Sequence, residues 1–325
     1  DGEYLTKLKE GREEDIRPCI SCHNGCLPIA YYKNSGAAAD LSSPNSQGHC
    51  ALNPVSFEEK KYEIKEAAVK KKIAVIGGGI GGMEVARLCS MMGHTVDLYE
   101  KTDRLGGVFI AAAAPDFKEK DKELIEWYKT QIKKLPITLH MNTEITSLSE
   151  IRADEIVVAT GAAPRKLPVP GFEKGIEAID YLLGKKEVGT KVAVIGGGLT
   201  GCEIAYDLAK KGKEPFVVEM TEDLIKALGI CAANSSCLRD LLRYYKVPVY
   251  LESTLKEIQD HNVVILTPDG EKVIDCDSVV LSVGYVPGTS LVKESSEHVH
   301  ILGDAAKVGN LKNVIWGAYD LAFSL

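Results

Sequence analysis

Two glycine turns of the same spacing, 119 residues apart, constrain this chain more than any other feature. The first lies in residues 72–82, KIAVIGGGIGG, where an apolar run breaks into glycines and then into a helical pattern. Strand, tight turn and helix are expected in that order. Gly77 would make the turn, Gly79 would let the backbone approach a pyrophosphate, and Gly82 would let helix pack on strand, with the helix N-terminus facing the phosphates. Glu100 closes the next apolar run, where an acid can hold a ribose hydroxyl. A shift of 119 residues superimposes Gly77, Gly79, Gly82, Gly93 and Glu100 on Gly196, Gly198, Gly201, Gly212 and Glu219 without a gap. One nucleotide-binding unit is present twice, as a domain duplication and not a solenoid. A solvated carboxylate at a strand end is common, yet the identical offset of Glu100 and Glu219 from two turns favours ribose binding for both.

At 325 residues the chain can bury large cores, and its length suggests two or three domains. The net charge of -7, with both signs interspersed, offers no basic face for nucleic acid. No apolar run is long enough to span a bilayer, and the opening Asp1-Gly2-Glu3-Tyr4 is no signal peptide, so the chain reads as a cytoplasmic piece of a longer polypeptide. Of the nine cysteines, Cys89, Cys202, Cys231, Cys237 and Cys276 are scattered and read as buried small hydrophobes. Cys19, Cys22, Cys26 and Cys50 crowd into the first fifty residues and read as a site.

Residues 4–14 and 57–71 are charged and pattern as helices, whereas residues 18–54 are rich in Cys, Asn, Ser, Gly and Pro without periodicity. A metal site would supply order there. A helix is expected over residues 117–134, and short strands over 135–146, 155–158, 279–283 and 298–302, with a last helix from about residue 313. The strand at 155–158 runs into Thr160-Gly161-Ala162-Ala163-Pro164, echoed by Gly284-Tyr285-Val286-Pro287. His23, His49, His298 and His300 have no partner by spacing and read as ordinary histidines. Trp316 and Tyr319, three apart, read as core.

With both turns, Leu105-Gly106-Gly107, Thr160-Gly161, Gly284-Tyr285-Val286-Pro287 and Gly303-Asp304 in this order, residues 71–325 resemble the two-dinucleotide-binding flavoproteins, relatives of the disulfide reductases. The resemblance implies an α/β fold of two nested Rossmann-like domains behind an irregular cysteine-rich metal-cluster segment. The expected division is 1–65 for that linker segment, 66–185 plus 284–325 for an FAD domain, and 186–283 for an inserted NAD(H) domain. Gly77, Gly79, Gly82, Glu100, Gly106, Gly107, Thr160, Gly161, Gly303 and Asp304 would line FAD. Gly196, Gly198, Gly201, Glu219 and Gly284 would line the nicotinamide dinucleotide. The Glu219 carboxylate would repel a 2′-phosphate and no arginine lies in residues 220–226 to welcome one, so NADH is expected over NADPH.

The leader, Arg17-Pro18-Cys19-Ile20-Ser21-Cys22-His23-Asn24-Gly25-Cys26 followed by Cys50-Ala51-Leu52-Asn53-Pro54, resembles the cluster segment of the 2,4-dienoyl-CoA reductase and 2-enoate reductase group, to which trimethylamine dehydrogenase is similar. In that group it joins an N-terminal FMN-bearing (β/α)8 barrel to the part seen here. The resemblance implies a [4Fe-4S] cluster on Cys19, Cys22, Cys26 and Cys50, with residues 27–49 as an insertion before the fourth ligand and His49 as a lesser candidate. Zinc uses the same ligand types, and a redox dithiol needs only Cys19 and Cys22; the cluster is favoured over both. The chain would then pass hydride from NADH to FAD and single electrons through the cluster to the barrel, where an activated C=C bond, in an enoate or dienoyl thioester, is reduced. The expected partners are that barrel of the same polypeptide and the dinucleotides, with no nucleic acid, no membrane, and room for a homo-oligomer. No catalytic acid can be named. The alternatives are an NAD(P)H flavin reductase resembling the glutamate synthase small subunit, and an ADP-binding electron-transfer scaffold as in trimethylamine dehydrogenase.

Overall fold

A computed structural model describes residues 2–26, 49–226, 230–288, 290–292 and 296–325. The chain divides into two compact units, the first made of Asp1–Ala113, Lys118–Ala163 and Val286–Leu325, the second of Ala114–Phe117 and Pro164–Tyr285.

The first unit is built on a five-stranded parallel sheet. Its strands are β1 (Lys72–Ile76), β2 (Thr95–Tyr99), β3 (Ile137–His140), β4 (Glu155–Val158) and one that returns late in the chain; β5 (Ala162–Pro164) follows β4 outside this sheet. Strands of the KIAVI and EIVV type are apolar on both faces, as a parallel sheet covered on two sides requires. On one face lie helices α2 (Ile80–Met91) and α4 (Glu119–Lys134), with the short α1 (Tyr4–Lys9) and α3 (Phe109–Ala112) preceding them in turn. In α4, Leu124, Tyr128 and Ile132 recur at helical spacing and are buried, while Lys133 and Lys134 sit favourably at its C-terminal end. The other face is covered thinly, by Ile145, Leu148 and Ile151 against Ile76 and Val158.

The second unit repeats the plan. Its sheet contains β6 (Ile176–Glu177), β7 (Lys191–Ile195), β8 (Glu214–Val218), β9 (Val249–Tyr250) and β13 (Ser278–Leu281), in the order β6-β13-β7-β8-β9. Helices α5 (Ala178–Leu182), α6 (Leu199–Lys210) and α7 (Ala232–Tyr244) accompany it. An antiparallel meander of β10 (Thr254–Ile258), β11 (Asn262–Thr267) and β12 (Gly270–Asp275) packs Leu255, Ile258, Val263 and Ile265 on the face lined by Ala193, Ile195, Phe216 and Val218. The chain then makes β14 (Tyr285–Pro287), which pairs with β5, and ends in β15 (Val299–Ile301) and α8 (Leu311–Ala322). β15 takes the edge beside β4, giving the first sheet the order β15-β4-β1-β2-β3.

Four local expectations need correction. Residues 57–71 form turns and extended chain instead of a helix, because Phe57 adopts a positive φ of 67° and Tyr62 is pulled into an aromatic group with Trp316, Tyr319 and Phe323. The helix expected over residues 4–14 ends at Lys9, since Gly11 takes a left-handed φ of 68°. The strand expected over residues 135–146 is confined to Ile137–His140, because the chain turns at Asn142, whose φ is also positive. Cys237 is exposed, on the outer face of α7, whereas Cys89, Cys202, Cys231 and Cys276 are buried. Most of the expected insertion, residues 27–48, lies outside the described residues.

Candidate functional site

The loop after β1 in the first unit and the loop after β7 in the second turn sharply and open a helix. Gly77 has φ 112° and Gly196 φ 103°, a region L side chains rarely enter. A Cβ on Gly77 would strike the carbonyl of Ala159, and one on Gly196 that of Ser282, so the glycines also let the neighbouring strand end close in. A Cβ on Gly82 or Gly201 would strike the carbonyl of Gly77 or Gly196, which fixes helix against turn. By contrast, a Cβ on Gly79 or Gly198 would meet nothing within 4 Å. The backbone there is open to a ligand.

Helices α2 and α6 begin at those open glycines with no side-chain cap and no acidic residue in the first turn. Their first amides have no intrahelical acceptor and carry the positive end of the helix dipole, an arrangement suited to a pyrophosphate.

The two acids are held alike. Glu100 Oε2 accepts from the Gly78 amide at 2.8 Å, and its Oε1 accepts from the amide and hydroxyl of Thr102, each at 2.8 Å. Glu219 Oε2 accepts from the Gly197 amide at 2.6 Å, and its Oε1 from the amide and hydroxyl of Thr221 at 2.8 Å. Each carboxylate is thus fixed beside the glycine turn with lone pairs left for a ribose diol.

The remaining first-unit residues gather at the same place. Gly106 donates to the Gly78 carbonyl at 2.8 Å and bridges Gly79, and Gly107 lies against Gly79. Gly161 follows the strand end that touches Gly77, and Thr160 Oγ1 donates to the Gly288 carbonyl at 2.8 Å. Val314 and Leu302 pack beside Gly81 in the first turn of α2, which brings Gly303 and Asp304 to that turn. Burial pushes the Asp304 carboxyl up, against the Gly309 amide that it accepts from at 2.9 Å. In the second unit Gly284 lies two residues after Ser282, the residue that touches Gly196.

Sequence reasoning missed Thr102 and Thr221, although they obey the same 119-residue offset, as do Leu105 and Leu224, which pack on Gly78 and Gly197. It also missed Arg239, which stands 20 residues beyond Glu219 and is delivered to the turn by a separate helix, α7.

The cysteine segment is strapped to the first unit. Arg17 donates to the Leu52 carbonyl and, at 2.9 Å, to Glu84 on α2, which Arg87 also bonds. Glu84 is fully buried; burial would raise its carboxyl, but Arg17 and Arg87 prevail and hold it at about 2. Trp316 Nε1 on α8 donates to the Cys50 carbonyl at 3.0 Å, and Lys312 Nζ lies 2.5 Å from His49 Nε2. Burial pushes the Cys22 thiol up, with lesser contributions from Cys50, Cys26 and Cys19. Among the described residues, however, no three His, Cys, Asp or Glu groups converge closely enough to hold one metal ion. His300 is paired after all, with Glu155 at 2.9 Å.

Residues 146–304 match the family model for pyridine nucleotide-disulphide oxidoreductases, and residues 75–120 that for NAD(P)-binding Rossmann-like domains. The chain is 37% identical over 328 residues to a cinnamate reductase of Clostridium sporogenes, covering 99% of this chain and 48% of that protein. It is 31% identical to an NADH oxidase of Thermoanaerobacter brockii, covering 100% of this chain and 50% of the relative. The structure of a 2-naphthoyl-CoA reductase in complex with 2-naphthoyl-CoA superimposes with a TM-score of 0.89 at 31% identity, over all of this chain and 49% of that one. The chain therefore spans about half the length of the proteins it matches.

Proposed function

Because the chain belongs to the 2,4-dienoyl-CoA reductase and 2-enoate reductase group, we propose that it is the electron-input part of an NADH-dependent flavin oxidoreductase. The first unit would hold FAD and the second NADH. The observation that carries this reading is the pair of glycine turns, each with an open approach, an uncapped helix and a fixed acid. Bound there, the flavin would accept a hydride and release electrons singly.

The work of the chain's own residues is placement. The amides opening α2 and α6 take the two pyrophosphates, Glu100 and Glu219 orient the riboses, and Asp304 meets the flavin's phosphate or ribityl side. Glu219 discriminates against a 2′-phosphate by charge. The cysteine segment, carrying a [4Fe-4S] cluster on Cys19, Cys22, Cys26 and Cys50, would connect this part to an FMN barrel that reduces an activated C=C bond. The soft character of four thiols in one segment, and the docking of that segment on α2 and α8, support that assignment.

A visible spectrum tests the core of the reading. Flavin bands bleached by NADH, and only weakly by NADPH, are expected; a protein that retains ADP and no flavin would overturn it. Iron and labile-sulfide analysis tests the cluster, and zinc in their place would refute it. The isolated chain should pass electrons from NADH to an artificial acceptor and reduce no alkene.

A further inference from the structure

Arg239, on α7, reaches back to the loop that follows the ribose-side acid of the second unit. Its guanidinium bonds both carboxylate oxygens of Asp223, at 3.3 and 3.1 Å, and the Leu224 carbonyl. Asp223 is part of the same small structure as Glu219, since Thr221 Oγ1 donates to the Glu219 carboxylate and also approaches the Asp223 carbonyl at 2.8 Å. Leu224, whose carbonyl Arg239 bonds, packs with Glu219 against Gly197, so Arg239, Asp223 and Glu219 flank the same glycine turn.

We propose that Asp223 is a specificity-determining residue: it holds Arg239 within the loop, away from the space a 2′-phosphate would fill beside Glu219, and so strengthens the preference for NADH. The proposal rests on the assignment of the second unit to a nicotinamide dinucleotide.

Three observations support it. The turn does not itself demand an acid at this position, because the matching residue of the first unit is Arg104, whose carbonyl is approached by Thr102 Oγ1 in the same way. The pair is half exposed, with Asp223 at 55% and Arg239 at 20% side-chain exposure, so it is screened and weak enough to be replaced by a better acceptor. A phosphate is that acceptor: guanidinium binds it through paired charge-assisted hydrogen bonds. Glu219 alone would repel the phosphate, yet an unrestrained arginine beside it would offset that repulsion. Asp223 removes the offset.

Calorimetric titration of the purified chain with NADH and with NADPH tests this. The variants are Glu219→Gln, Asp223→Asn, their combination, and the combination with Arg239→Ala; Asp223→Ser serves as a second neutral replacement. The double variant should bind NADPH about tenfold more tightly than Glu219→Gln alone, the size of one charge-assisted hydrogen bond. Adding Arg239→Ala should abolish that gain. NADH affinity reports that the unit is intact and should change by no more than about threefold on neutralising Asp223. The proposal is overturned if neither neutral replacement adds to Glu219→Gln, or if the gain survives loss of Arg239. An unmodified chain that binds neither dinucleotide would instead overturn the assignment of the second unit, a separate failure.

Discussion

The two units share a turn almost atom for atom and differ in what surrounds it. In the first, α2 is buried nearly all round, because the leader and α8 belong to that unit along with the sheet and α4. In the second, the matching helix α6 has a half-exposed face, and the core is split between a cluster on its own side of the sheet and another across the sheet, under the β10–β12 meander. The offset of 119 pairs Glu84 with Glu203 and Arg87 with Tyr206. Glu84 is buried between two guanidiniums; Glu203 is half-exposed. The turn follows its own backbone geometry, whereas the helix faces follow their neighbours.

The largest effect is expected where backbone meets backbone. Gly82→Ala drives a Cβ into the Gly77 carbonyl and should lower flavin affinity by about a hundredfold, measured as flavin retained through gel filtration. Gly201→Ala, the same change in the second unit, should leave the flavin in place and abolish its bleaching by NADH. Reversal of the two phenotypes would exchange the roles of the units.

Next comes the buried ion group. Glu84→Ala strands two guanidiniums and should cost about 3–5 kcal/mol in chemical denaturation, while Glu203→Ala should cost under about 1 kcal/mol. Equal losses would show that the leader is not what distinguishes the first unit.

The same contrast should appear on acidification. The Glu84 and Glu155 carboxyls both lie at about 2 in the folded chain; for each, burial acts upward, but Arg17 and Arg87 in one case, and Lys71 and His300 in the other, hold it down. A carboxyl whose folded pKa is depressed contributes stability above its unfolded value of about 4.3, and that contribution is lost as pH falls towards 2. In the second unit the depressed carboxyls, Glu222, Asp223, Asp260 and Asp277, are exposed and screened. Both tryptophans, Trp127 and Trp316, belong to the first unit, so their fluorescence should report loss of structure between about pH 4 and 2 before NADH binding to the second unit fails. Glu155→Gln should flatten that dependence; an unchanged acid profile would remove Glu155 from the account.

The smallest effects are expected at the threonines. Thr102→Val and Thr221→Val delete a hydroxyl donor to Glu100 and to Glu219, about 0.5–1.5 kcal/mol each, and should weaken flavin and NADH binding respectively by a few-fold.

Much of the turn chemistry was legible because it depends on residues with no substitute. Only glycine tolerates the φ of Gly77 or the approach of Gly82, so spacing alone located both turns, and the offset extended the likeness to the acids beside them. The acids were legible for the same reason, standing at strand ends a fixed distance on. The α/β class followed from the resemblance that the two turns and the later glycine motifs carry. What pairs across long sequence separation was not legible: Arg17 finds Glu84 over 67 residues, and Arg239 finds Asp223 from a separate helix. Charged residues on a helix pattern as a solvated face whether or not another segment arrives to cover them. Residues 57–71 misled for a related reason, since their charged composition favours a helix while Tyr62 gains more from the aromatic group on α8.

The order of segments also bears on how the chain is made. Residues 164–285 are contiguous in the polypeptide and hold the entire sheet and meander of the second unit, whereas the first sheet waits for β15 and for α8. During synthesis the inner unit can therefore close on itself while the outer sheet still exposes the edge of β4 and one side of α2. A chain interrupted before Val299 would keep the second sheet whole and leave the first without its edge strand β15 and without α8.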